Sequence, residues 1–205
     1  MIVNRTVRPM QPSEQGEVIA VISRAFWHDP LFDFFARDLL QQYELLPRFF
    51  RIAFKDLPAD IAELSVAEHD GRPRGFAGWL PPGSLPRSAA METRRSLRVV
   101  PLLARVRNRR KALSLLMEIE KRQPREPHWY LALLATDPTV QGRGLGSALL
   151  APVLRRCDED GIVAYTETQK KANVSWYARA GFQVVDEVRL PEAPTIWCLR
   201  RDPSD

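Results

Sequence analysis

WYLALLATDPTVQGRGLGSALL, residues 129–150, is the stretch on which the reading of this chain turns. Trp129 to Ala135 is an apolar run long enough for a buried strand, and Thr136-Asp137-Pro138 ends it. Gln141-Gly142-Arg143-Gly144-Leu145-Gly146 follows, and from Gly144 to Asp158 the pattern is that of an apolar helix. Gly142, Gly144 and Gly146 let a backbone turn tightly and come close to a ligand. The free amides and positive dipole end of the following helix then suit an anion such as a pyrophosphate. Two other phosphate loops do not fit. A P-loop needs Gly-Lys-Ser/Thr, and Gly146-Ser147 has no lysine. The dinucleotide fingerprint opens its domain with G-x-G-x-x-G, whereas these glycines are spaced differently and lie late.

Working outward, Thr6–Met10 reads as a first strand and Gln15–Phe26 as a helix ended by His28-Asp29-Pro30. Helical segments follow at Leu31–Leu40 and, after a break at Pro47, over Tyr43–Lys55. Their aromatic stripe is more often core than the cover of a substrate pocket. Ile61–Glu68 and Pro73–Leu80 read as strands joined by a hairpin, with Asp70-Gly71 as its turn and Pro81-Pro82-Gly83 as its stop. Ala89–Lys121 is helical with an interruption near Pro101. Downstream come a strand at Ile162–Thr166, a short helix at Asn173–Ala180, and strands at Phe182–Arg189 and Thr195–Leu199. This alternation predicts an α/β fold with a central mixed sheet, in one domain over 1–205. A helical elaboration is expected at about 84–123.

At 205 residues, 45% hydrophobic and 27% charged, the chain can bury an ordinary core. MIVNRTVRPM lacks the apolar centre of a signal peptide, and no run of about 18 apolar residues exists, so a cytoplasmic location is expected. Cys157 and Cys198 read as buried free thiols. With only His28, His69 and His128, and no paired ligand spacing, no metal site is expected. The formal charge of +5 is concentrated between Ser84 and Gln123, where eleven basic residues face three acidic ones. Arg94, Arg95, Arg98, Arg105, Arg107, Arg109, Arg110 and Lys111 dominate this segment. It reads as a solvated helical face with Leu97, Val100, Leu103, Val106, Leu113, Leu116 and Met117 turned inward. Charge alone is a weak sign of nucleic-acid binding, and no motif supports it.

A second motif follows the glycine loop: Asn173, then Trp176-Tyr177-Ala178-Arg179-Ala180-Gly181-Phe182. With Gln141–Gly146 it resembles the paired signatures of the GNAT (GCN5-related N-acetyltransferase) superfamily. The C-terminal half also resembles puromycin N-acetyltransferases at Arg125–Ala132, Gln141–Leu149 and Leu190–Cys198. The resemblance implies the GNAT-type fold, a mostly antiparallel twisted sheet flanked by helices, and an enzyme that uses acetyl-CoA as co-substrate without a metal. It implies that Leu134, Ala135 and Thr136 bind the pantetheine arm through backbone groups. Gln141, Gly142, Arg143, Gly144, Leu145, Gly146 and Ser147 would cradle the pyrophosphate. Asn173 would cap its helix and touch the cofactor. Tyr177 becomes the candidate general acid, since a phenol is neutral at pH 7 and can protonate a leaving thiolate. An amide near Leu134 or Ala135 would meet the oxyanion. For the general base the candidates are His128 and Glu126, with Glu118, Glu120 and Glu167 behind them. His128, Tyr130, Ala132 and Leu134 are expected on one face of their strand.

The implied activity is transfer of an acetyl group to the amine of a small molecule. A protein N-terminus or lysine is the alternative acceptor. An acetyl-CoA sensor or a nucleic-acid module is the non-enzymatic alternative, and an intact Tyr177 and glycine loop argue against it. Monomer and homodimer both stay open.

Overall fold

The computed structural model describes residues 6–36, 38–56, 62–84 and 106–204. Among these, seven strands form one sheet: β1 (Val7–Pro9), β2 (Glu63–His69), β3 (Arg72–Leu80), β4 (Trp129–Thr136), β5 (Ala164–Thr168), β6 (Gln183–Val188) and β7 (Ile196–Arg201). In space they run β1-β2-β3-β4-β5-β7-β6. Every neighbouring pair is antiparallel except β4 and β5. The sheet is therefore mixed and mostly antiparallel, as expected.

The helices are α1 (Gln15–Ala25), α2 (Pro30–Phe35), α3 (Leu39–Asp56), α4 (Arg109–Glu120), α5 (Leu145–Asp160) and α6 (Lys171–Ala178). Val18 and Ile22 of α1, Phe32 of α2 and Leu46 and Phe50 of α3 pack on Val66 and Phe76 on one face of the sheet. Leu149, Leu150 and Val153 of α5 pack with Trp79 and Leu131 on the other face, where Tyr177 of α6 joins them. Cys157 and Cys198 are buried and free, and burial raises both thiols, Cys157 to about 11.

Asp70 and Gly71 both have positive φ, 54° and 70°. This is the turn whose twist matches that of the flanking strands, and an Asp-Gly pair suits it. Pro47 does not break α3 as expected, and the helix runs through it. The proline leaves the Tyr43 carbonyl without its helical donor. Tyr43 is 67% exposed, so water can serve that carbonyl, while Leu45, Leu46, Phe50 and Phe54 hold the buried face.

In α4 the inward stripe is Ala112, Leu115, Leu116 and Ile119, whereas Leu113 and Met117 lie exposed, contrary to expectation. The helix begins after Asn108, whose φ of 49° sets its phase. Arg94, Arg95, Arg98, Arg105, Leu97, Val100 and Leu103 lie outside the described residues. Of the described basic residues there, Lys111 is paired with Glu192.

One irregularity shapes the site. Gly78 pairs with Leu133 and Trp79 with Leu131, so Ala132 is an extra residue in β4. Such a bulge bends its strand and reverses the facing of the residues beyond it. Trp129 and Leu131 pack toward α5, but so does Leu134, while Leu133 and Ala135 join the α1–α3 side. The expected common face of His128, Tyr130, Ala132 and Leu134 is therefore broken at Ala132.

Past the bulge, β4 leaves β5. Their ladder consists of two pairs, Trp129↔Ala164 and Tyr130↔Tyr165. Next to them the Thr166 hydroxyl donates to the Leu131 carbonyl at 2.9 Å, taking the place of a backbone donor. Beyond that point the β5-facing edge of β4 is open.

The far end of β4 is anchored by Asp137, which is fully buried. Its carboxylate accepts from Arg24 at 2.6 Å, Arg74 at 3.1 Å, and the Thr139 amide and hydroxyl at 3.1 and 2.8 Å. Burial raises its pKa, but the Arg24 and Thr139 hydrogen bonds outweigh it and hold the carboxyl at about 2. Asp137→Ala is expected to cost about 2 kcal/mol in urea denaturation at pH 7, because the buried carboxylate's hydrogen bonds from Arg24, Arg74 and Thr139 are lost while the two partly exposed guanidinium groups rehydrate. The depressed pKa means this contribution is present above pH 3.8 and is lost as pH falls through about 2. A loss below about 1 kcal/mol would place Asp137 among ordinary surface ion pairs.

Candidate active site

The gap between β4 and β5 opens into a cavity of about 780 Å³. Tyr130 to Thr136 form one wall and Thr166 to Lys170 the opposite one. Gln141, Gly142, Gly144, Leu145, Gly146 and Ser147 line one end together with Asn173, Trp176 and Tyr177. Phe26, Phe32, Phe49 and Phe50 line another part. The aromatic stripe thus does two jobs: Phe32 and Phe50 are core at 1% exposure, and Phe26 and Phe49 are half-buried cavity wall.

At the glycine loop, α5 begins after Gly144, whose φ of 77° is left-handed and which has no side chain to cap the helix. The first intrahelical bond from this end runs from the Ala148 amide to the Gly144 carbonyl. The amides of Leu145, Gly146 and Ser147 precede it and are the unpaired donors of a helix start. Gly146 has a separate reason: a Cβ there would stand 3.0 Å from Cζ2 of Trp176, so glycine lets α5 meet α6 closely. Gln141 folds back, its side-chain amide donating to the Thr136 carbonyl at 3.2 Å. Arg143 points elsewhere: it is exposed, does not line the cavity, and sets Nη1 2.8 Å from Nε2 of His69.

Asn173 does not cap its helix. Lys170 is the N-cap of α6, and Asn173, the third helical residue, donates to the Thr168 hydroxyl at 3.0 Å. The helix starts two residues earlier than its sequence pattern indicates, and this moves Asn173 from cap to first turn.

Tyr177 is buried on the α5–α6 side, its ring set edge-on to Trp176 at 4.9 Å and Phe182 at 5.4 Å between centroids. Burial pushes the phenol well above its ordinary value, with the Thr166 hydroxyl opposing part of the rise. It stays protonated across the neutral range.

The carboxylates weighed from the sequence separate clearly. Glu126 is exposed, paired with Arg200, and held below the usual carboxylate range by that hydrogen bond. Glu118 is paired with Lys121 and Arg122 and is likewise lowered. Neither lines the cavity, nor does Glu120. His128 is buried beside the Tyr130 and Tyr165 rings, with Nδ1 2.8 Å from the Glu126 carbonyl, and it too stands outside the cavity wall.

Glu167 alone among them lines the cavity. Its Oε2 accepts from the Tyr130 hydroxyl at 2.9 Å, and its further hydrogen bonds come from the neutral side chains of Gln123 and Tyr165. Desolvation raises the carboxyl to about 7, against the Tyr130 hydrogen bond. Strand alternation along β5 sets Thr166 toward Tyr177 and Glu167 toward Tyr130, so the two ionisable groups stand on opposite faces of the parted sheet. A second buried carboxylate, Asp29, lies in the wall. It accepts from the Leu31 amide at 3.0 Å and the Gln169 amide at 2.6 Å, and Lys170 Nζ stands 3.5 Å away. Asp29, Thr166 and the weight of Glu167 escape sequence reading. A glutamate between threonines at a strand end, Thr166-Glu167-Thr168, is the signal that was there to find.

Among the described residues, no group of three or more His, Cys, Asp or Glu side chains could hold a metal ion, and no helix is long and apolar enough to cross a membrane.

Several solved structures share this architecture. A Corynebacterium glutamicum protein described as histone acetyltransferase HPA2 and related acetyltransferase superposes with a TM-score of 0.74 at 22% identity, over 98% of this chain and 97% of that one. The polyamine N-acetyltransferase of Drosophila melanogaster gives 0.58 at 16%, over 97% and 100%. The protein yncA of Salmonella typhimurium, solved with its cofactor acetyl-CoA, gives 0.55 at 14%, over 98% and 95%. These identities speak for the fold. The profile of the acetyltransferase (GNAT) family matches residues 24–182, which span the parted strands, the glycine loop and Tyr177. The chain belongs to the GNAT acetyltransferase family.

Proposed function

We propose that this protein transfers the acetyl group of acetyl-CoA to the amine of a small molecule, by direct attack in a ternary complex. The observation that carries this reading is the gap between β4 and β5, with Tyr177 and the Gly144-led helix start on one face and Glu167 on the other. The groups present suit acetyl-CoA. An open strand edge at Leu134–Thr136 can pair with the amides of a pantetheine arm, and the helix-start amides of Leu145 to Ser147 can hold a pyrophosphate. Gln141, Gly142 and Asn173 complete that end of the cavity. Arg143 contributes field rather than contact.

Acetyl-CoA brings a thioester carbonyl to the gap. The amine nitrogen forms the new bond to the carbonyl carbon and the carbon–sulfur bond breaks. Glu167, ionised and without a basic partner among the described residues, accepts the proton that the amine gives up. Tyr177 donates its hydroxyl hydrogen bond to the departing sulfur. Charge building on the carbonyl oxygen meets backbone amides of the open β4 edge. Glu167 takes the role of base in this scheme, and His128 and Glu126, both outside the cavity, support the strand end.

The aromatic wall of Phe26 and Phe49 favours a small acceptor over a protein segment laid across an open groove. The likeness of Arg125–Ala132 and Leu190–Cys198 to puromycin N-acetyltransferases supports an aminoacyl-type compound. A protein acceptor is the second reading, and a peptide acetylated faster than any small amine would favour it.

The cradle is tested by Gly144→Val. Gly144 holds φ at 77°, where a β-branched residue is strained. The helix start relaxes away, and restoring it costs about 1–2 kcal/mol, or about tenfold in CoA affinity. Calorimetric titration with CoA reads this directly, and unchanged affinity would remove the loop from the binding site.

A further inference from the structure

Resting on that reading, we infer that the acceptor is a monoamine, one ammonium group on an apolar body of aromatic size, and that polyamines are poor acceptors. The first observation is the apolar wall on the Glu167 side. Phe26, Leu31, Phe49, Leu116 and Ile119, brought together from four helical regions, all line the cavity and all keep part of their surface accessible. Phe26 and Phe49 each stack edge-on against Phe32, at 5.8 and 5.1 Å, so both rings are packed onto the core. Water gains nothing from this surface, and an apolar ligand would cover it at about 25 cal/mol per Å².

The second observation is charge. Among the described residues the cavity wall carries two carboxylates, Glu167 and Asp29. Asp29 is already satisfied by the Leu31 amide, Gln169 and the Lys170 ammonium. Among the described residues Glu167 has no basic partner: its hydrogen bonds come from the neutral side chains of Tyr130, Gln123 and Tyr165. One ammonium finds a partner there. A second ammonium on the same ligand meets either the phenyl wall, where an unpaired cation is poorly solvated, or the basic Lys170 and Arg179, which repel it.

The experiment compares the intact protein with saturating acetyl-CoA and three acceptors, by thiol release. Hexylamine and 1,6-diaminohexane share a length and differ by one charge, and 2-phenylethylamine adds the ring. The expected kcat/KM for 2-phenylethylamine and hexylamine exceeds that for the diamine by about tenfold or more, the worth of roughly 1.4 kcal/mol in recognition. Phe49→Leu, which keeps the apolar volume and removes the ring, raises KM for 2-phenylethylamine more than for hexylamine. Lys170→Gln frees Asp29 and narrows the gap between diamine and monoamine. A diamine used as well as hexylamine by the parent protein overturns the inference while leaving the transferase reading intact. Equal KM changes for both monoamines in Phe49→Leu also overturn it. CoA binding without thiol release for any amine overturns the transferase reading itself, and this inference with it.

Discussion

Glu167→Gln is expected to lower the single-turnover rate of acetyl transfer by about 10² to 10⁴, the range over which a positioned general base acts. Gln keeps an oxygen for the Tyr130 hydroxyl and matches the side chain in volume, so packing is preserved. The parent rate should climb through about pH 7 and then level, following ionisation of the buried carboxyl, and the variant should lose that limb. Stability should move the other way. Burial raises the folded pKa from 4.5 to about 7, so the native state holds a proton that the unfolded chain releases. Native stability therefore falls as pH rises across that window. Glu167→Gln has no charge to desolvate, and at pH 8 it should be more stable than the parent by about 3 kcal/mol, with little difference near pH 4.5. Slower turnover together with a higher melting temperature at pH 8 marks a strained functional group. A variant equally slow but less stable at every pH would make Glu167 a structural residue instead.

Tyr177→Phe comes next in size. The ring keeps its edge-on contacts with Trp176 and Phe182, so CoA affinity should change little. The single-turnover rate should fall by about ten- to a thousandfold, since only the donor hydroxyl is lost. The buried phenol holds its proton more tightly than a free thiol, whose pKa is about 8.5. Full transfer to the sulfur is therefore uphill, and the hydroxyl acts mainly as a hydrogen-bond donor to developing charge. This is why the rate loss should stay nearly constant from pH 6 to 10 while the Glu167 limb remains visible. Parent-like rates across that range would make Tyr177 a packing residue.

Local chemistry was readable where one residue type answers one backbone need. Asp70-Gly71 announces a tight hairpin, and glycines before an apolar run announce a bare helix start. The bulge at Ala132 left no such mark. Trp129 to Ala135 is apolar on both faces, so no alternation exists for an extra residue to interrupt. The register of β5 failed for a related reason: Thr166-Glu167-Thr168 reads as the polar end of a strand, whereas it continues the strand along a cavity wall. That two-residue extension hid Glu167 among other carboxylates, and the earlier start of α6 separately carried Asn173 from cap to first turn. His128 and Glu126 lie on the chosen strand's approach, but choosing among titratable groups requires knowing which of them is desolvated, and only the three-dimensional packing decides that.

The parting of β4 from β5 also bears on how the protein avoids adhering to itself. An open strand edge is a template for any passing β-strand and a common origin of aggregation. Here one such edge lies inside the sheet, screened by α1, α3 and α6. The outer edges are poorer templates: β1 has three residues and ends in Pro9, and β6 carries Asp186 and Glu187 beside a break in register. Partial loosening of the helical cover would uncover the inner edge before the sheet itself came apart. Self-association of this chain should therefore begin there, and a ligand bound in the gap would also guard against misassembly.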